Sequence, residues 1–153
     1  MKIPHDKFCV LPWISMETSP TGTVRPCCLA EDEIKDENGV PFELANAAFS
    51  DIQNSKHMQS LRQQFLNGRK PKTCQKCWDE EDSGRTSKRM HTLDRLKHMI
   101  SDDVTWTTET KPLMFLDLKL GNICNLKCRI CGSWSSSAFA TEELKHMPRE
   151  KKK

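Results

Sequence analysis

The sequence predicts an α/β unit preceded by a small cysteine-rich α+β module. Three observations carry this. Five cysteines lie before residue 80 and three more lie together between residues 124 and 131. The second set directly follows an apolar alternating run, "LMFLDLKL", and precedes a serine-rich stretch suited to start a helix. Before that run the chain reads as a hairpin and two amphipathic helices, with no regular alternation of strand and helix.

Taken in order, Trp13 to Glu17 predicts a strand, "TSPTG" a turn, and Thr23 to Arg25 the returning antiparallel strand. Such a hairpin brings Cys9 back towards Cys27 and Cys28. "AEDEIKDENGVPFE" is acidic and turn-rich and reads as an exposed loop. In "NSKHMQSLRQQFLNG", Met58, Leu61, Phe65 and Leu66 share one helical face. Asn54 or Ser55 suits its N-cap, and Gly68 the left-handed position past its end. "RKPKTCQKCWDEEDSG" reads as a polar loop bearing Cys74 and Cys77.

A second helix is predicted over Thr86 to Ile100, with Met90, Leu93, Leu96 and Ile100 inward. Lys88, Arg89, Arg95 and Lys97 point outward in this reading, as a solvated face. "SDDVTWTTETKP" reads as a linker. The following run, with Met114, Leu116, Leu118 and Leu120 alternating against Asp117 and Lys119, predicts a strand buried on both faces at its start, as in a parallel sheet. Ser135 or Ser136 then caps a helix running to Met147, ended by Pro148. Strand, cysteine loop and helix form one α/β unit, with the chemistry at the strand's carboxyl end.

Composition limits the function classes. The chain has 153 residues, and its 24 basic and 21 acidic side chains leave a net charge of +3. No nucleic-acid partner is expected from that balance, and Lys151, Lys152 and Lys153 read as a solvated tail. No stretch approaches the ~20 apolar residues of a membrane span, and the start lacks the apolar core of a secretory signal. A cytoplasmic protein is expected, with no membrane partner. Eight cysteines in such a chain read as metal ligands rather than disulfides, with iron and zinc both open.

The spacing of the second set narrows the chemistry. In "CNLKCRIC" three residues separate Cys124 from Cys128 and two separate Cys128 from Cys131. Structural zinc sites close their shell with four ligands, commonly in CxxC pairs. A bacterial ferredoxin run continues to a further cysteine and proline. After Cys131 the chain reads Gly132, Ser133, Trp134 and contains no more cysteine. Three thiolates hold three irons of a four-iron cluster and leave the fourth iron open.

Cys124-x3-Cys128-x2-Cys131 after a strand resembles the signature of the radical S-adenosylmethionine (SAM) superfamily. That resemblance implies a 4Fe–4S cluster whose open iron binds SAM and whose electron cleaves it, giving a 5′-deoxyadenosyl radical. It also implies a partial TIM-type barrel, of which 111–153 holds the first βα unit. Ile130 stands where the family contacts adenine, usually through an aromatic residue. A low-potential reductant such as a flavodoxin or ferredoxin is implied as partner, and a peptide or small molecule as substrate.

The first set extends the likeness. Cys9, twelve residues, Gly22, four residues and Cys27 resemble the opening of SPASM and twitch auxiliary-cluster domains, and "CQKCW" supplies Cys74 and Cys77. The resemblance implies an auxiliary 4Fe–4S cluster on Cys9, Cys27, Cys74 and Cys77, with Cys28 able to replace Cys27. With no cysteine soon after Cys77, the single-cluster twitch type fits best. The auxiliary module is then about 1–110 and the incomplete barrel about 111–153, which makes the chain look truncated. Two rival readings remain: a non-catalytic, treble-clef-like zinc module, and an electron-transfer iron–sulfur protein. Neither the five histidines nor Trp13, Trp78, Trp106 and Trp134 form a ligand set or a stacking platform in sequence. Trp78 is suited to shield a cluster.

Overall fold

The amino-terminal run "FCVLPWISM" is almost wholly apolar, and it forms the centre of the core. The computed structural model describes residues 1–148, so the lysine tail lies outside the described residues. Pro12 starts a single helical turn, α1 (Leu11–Ile14), since proline suits a first helical position. The chain then extends as β1 (Ser15–Thr18). The predicted strand is thus half helix, because Leu11, Trp13 and Ile14 are all buried and need more than one sheet face.

β1 pairs antiparallel with β2 (Val24–Arg25) across a turn in which Gly22 takes φ +93°. The acidic stretch after it is only partly a surface loop. Ile34 is fully buried, and its backbone bonds Val24 and Phe42. Short helix α2 (Phe49–Gln53) leads into α3 (Lys56–Leu66), capped by the Ser55 hydroxyl accepting from the Met58 N–H. Met58, Leu61 and Phe65 face the core as the periodicity predicts, and Gly68 sits past the end at φ +68°.

The segment predicted as a polar loop is helical. A 3-10 turn (Lys72–Cys74) runs directly into α4 (Gln75–Asp82), because Trp78 is pulled into the core and its Nε1 donates to Pro71 O at 3.0 Å. Next comes α5 (Lys88–Leu96), shorter than predicted, with its start capped by Ser87. Leu96 is buried as expected, but Met90 is exposed and Arg89 is buried.

Residues 101–112 are strapped to the core rather than forming a free linker. Trp106 packs on Phe8 and Trp13 with ring centroids 5.0 and 5.5 Å away. Trp13 Nε1 donates to Thr107 O at 2.6 Å. Arg62, fully buried, donates to Pro12 O, Thr108 O and Gln53 Oε1. Burial lowers its pKa to about 10, so it remains a cation at neutral pH, solvated by three neutral acceptors.

This strap sets β3 (Phe115–Asp117) parallel to β1, giving the sheet order β2-β1-β3. The strand is parallel as predicted but short, and Met114, Leu116, Leu118 and Leu120 are exposed rather than buried. It is an edge strand whose far side has no partner among the described residues. Buried Glu17 on β1 holds both neighbours, pairing with Arg25 of β2 and with Lys119 just beyond β3. The last helix, α6 (Ser137–His146), starts after Ser136 as predicted. The architecture is a small mixed α/β fold. No helix among the described residues is long and apolar enough to cross a membrane.

Candidate iron–sulfur sites

Cys9 is buried just ahead of α1 and Cys27 follows β2. Cys74 ends the 3-10 turn, and Cys77 lies one turn on, in α4. Two side chains that sequence reasoning missed hold these segments together. Arg89, read from the sequence as solvated, donates to Asp6 O at 2.6 Å and Phe8 O at 2.8 Å. It also forks onto Glu81 of α4 at 2.9 and 2.6 Å. It thereby ties the segment before Cys9 to the helix bearing Cys77. Thr73 accepts from Glu31 N through its carbonyl and from Asp32 N through its hydroxyl, both at 2.9 Å. That ties the loop after Cys27 to Cys74.

The thiols lie close enough for their charges to interact. Burial pushes the Cys9 thiol well up, and Cys74, Cys27 and Cys77 push it further. Burial likewise raises Cys74, with Cys27 and Cys77 adding to it. It also raises Cys27 and Cys77. Thiols in such a setting stay neutral unless a cation at their centre compensates the thiolates. Among the described residues no three His, Cys, Asp or Glu groups are drawn together as one bound ion would hold them. A single zinc would bring its sulfurs to ~2.3 Å from one centre. The all-cysteine donor set suits an iron–sulfur core.

Trp78 walls this region. It is buried between Phe65, at 6.2 Å, and the cations of Lys70 and Arg89, at 5.5 and 5.2 Å from its ring. Cys28 faces elsewhere, and its Sγ accepts from Lys88 Nζ at 3.0 Å.

The second set occupies the loop between β3 and α6. Ser136 Oγ donates to Cys124 O and Leu126 O at 3.1 and 2.8 Å, and Ser137 Oγ accepts from Cys124 N at 3.2 Å. The Cys131 N–H donates to Cys128 O at 2.9 Å. Start of helix and cysteine loop are thus one folded unit. Cys128 is exposed, Ile130 is 94% exposed, and Trp134 is 70% exposed. The histidines join neither set. His5 Nε2 contacts Phe65 O, and His57 Nδ1 accepts from Lys35 N.

The mixed α/β scaffold brings two buried thiols, Cys9 and Cys77, and two half-buried ones, Cys27 and Cys74, into one region from three segments. Residues 9–78 match the family model of SPASM, an iron–sulfur cluster-binding domain. This match takes in Cys9, Cys27, Cys74 and Cys77, and it places iron–sulfur cluster binding in this part of the chain. No curated protein and no solved structure matches the sequence.

Because Arg89 joins two cysteine-bearing segments, Arg89→Ala is expected to lower unfolding free energy by about 3 kcal/mol, the cost of stranding a largely buried partner. Burial alone would raise the Glu81 pKa, but hydrogen bonds from Arg89 and Ser87 outweigh it and the net shift is downward. This pair's stabilisation is therefore present above the unfolded carboxyl value of 4.5 and lost as pH falls through the lower folded value. Denaturant unfolding at pH 7 and at pH 3 checks both: the wild-type advantage over the variant should shrink at the lower pH.

Proposed function

We propose that the protein carries two four-iron clusters and serves radical SAM chemistry. Cys9, Cys27, Cys74 and Cys77 hold the auxiliary cluster, and Cys124, Cys128 and Cys131 hold the one that binds SAM. The observation that carries the reading is the SPASM match over residues 9–78, which takes in Cys9, Cys27, Cys74 and Cys77, with a three-cysteine loop beyond it. Cys27 is preferred to Cys28 because its charge is felt by Cys9 and Cys74, whereas Cys28 is engaged by Lys88.

When bound, a three-thiolate cluster with one open iron supplies the electron that cleaves SAM. The chain's own contribution is positional. Ser136 and Ser137 fix the Cys124 backbone against α6, and Cys131 N–H closes the turn onto Cys128. Arg89 and Thr73 fix the auxiliary ligands, and Trp78 keeps water from their side. Ile130 is the proposed adenine contact, and a flavodoxin- or ferredoxin-like donor the proposed reductant. A peptide or small molecule is the proposed substrate.

Protein reconstituted anaerobically with iron and sulfide is expected to be brown, with broad absorption near 400 nm and about eight irons per chain. Stoichiometric zinc with little iron would overturn the reading in favour of a zinc module.

A further inference from the structure

A cavity of about 240 Å³ lies between α5 and the edge of the sheet. One wall is the α5 face bearing Lys88, Thr92 and Arg95, which follow one another at helical spacing. Leu11, Phe115 and Leu116 contribute apolar surface, and the Cys28 thiol lies beside Lys88. Two acids also line it, but both are already matched. Glu17 pairs with Arg25 and Lys119, and Asp117 shares Lys119 at 3.5 Å. The cations opposite form no direct ion pair. Lys88 has the Cys28 sulfur as its one hydrogen-bond partner and feels the Asp117 charge without a direct ion pair, and Arg95 has no hydrogen-bond or ion-pair partner among the described residues.

We propose that this cavity binds a small organic carboxylate with an apolar body, such as an acylated amino acid or the carboxyl end of a peptide. Lys88 and Arg95 take the carboxylate, with the Thr92 hydroxyl between them, and the apolar body lies against Phe115 and Leu116. The volume falls below the ~300–1,000 Å³ of sites for drug-sized ligands, so the occupant is small. The site contains none of Cys9, Cys27, Cys74 and Cys77, and its reporter rests on the proposed ligand set, in which Cys28 stays free.

Cys28 provides an internal reporter. Reconstituted, anaerobic protein is treated briefly with an equimolar mixture of iodoacetate and iodoacetamide, with N-acetylcysteinamide as a neutral reference thiol. In either reaction the sulfur–carbon bond forms, the carbon–iodine bond breaks, iodide leaves and the thiol proton passes to buffer. Mass spectrometry of the Cys28 peptide gives the ratio of carboxymethyl to carbamidomethyl product. This ratio is expected to exceed that of the reference thiol by about fivefold, the effect of partly screened cation pairing. N-acetylleucine should suppress carboxymethylation, and N-acetylleucinamide should not. Lys88→Gln and Arg95→Gln should each lower the ratio, and together return it to the reference value, with iron content unchanged. A wild-type ratio equal to the reference, or equal competition by the amide, would overturn the proposal. Because iron is counted in the same samples, failure here is distinguished from failure of the cluster reading.

Discussion

Replacing Cys74 and Cys77 together by Ala is expected to remove about four irons and to destabilise the whole amino-terminal module. Both residues sit where a 3-10 turn becomes α4, and the Thr73 bonds and Trp78 packing converge on the same segment. Without a cluster the site is a group of buried and half-buried thiols, and ligand binding there is coupled to folding. Changing Cys124, Cys128 and Cys131 together to Ala should also remove about four irons, but with the module's thermal transition nearly unmoved. The reason is that this loop is largely on the surface and contributes no buried core side chain. Iron and sulfide analysis paired with circular-dichroism melting distinguishes the two. Cys27→Ala should cost more iron than Cys28→Ala. Equal losses would show that Cys28 shares or replaces the ligand role, and loss of all iron from either multiple variant would contradict two separate sites.

The second large effect concerns turnover. These 153 residues alone, reduced and supplied with SAM, should give no more than about one 5′-deoxyadenosine per chain, because chemistry of this kind requires exclusion of water. In this fold the surroundings of the three-cysteine loop are open. β3 is three residues long and is an edge strand among the described residues. Leu120 and Ile123, which flank the approach to Cys124, are 86% and 96% exposed. A closed (β/α)8 barrel, which would bury such residues, takes about 250 residues. Sustained multiple turnover in a liquid-chromatography assay would show that the exposed strand and loop are enough.

Much of the local structure was legible because local rules governed it. Ser55 and Ser136 stand at helix starts, Gly68 ends α3, and "TSPTG" turns the hairpin, each for reasons contained within a few residues. The cysteine spacings were legible in the same way, since a ligand set leaves a sequence pattern whether or not its partners are known. The histidines and the outward charges carried no such pattern, and reading Arg89 among the solvated cations was the consequence.

By itself, then, the sequence determined the two cysteine sets, the amphipathic helix α3, the hairpin and the strand–loop–helix order at 115–146. Tertiary structure alone decided that Arg62 and Arg89 turn inward and that Ile34 fills the core from an acidic loop. It also decided that residues 106–111 are strapped across Trp13, and that β3 joins β1 in one sheet. The physical reason is shared by all of these. Periodicity and capping report the chain's contacts with its own neighbours. A buried guanidinium needs acceptors such as Phe8 O, Pro12 O and Thr108 O, which come from segments 46 to 81 residues away. Only the folded chain brings those carbonyls together.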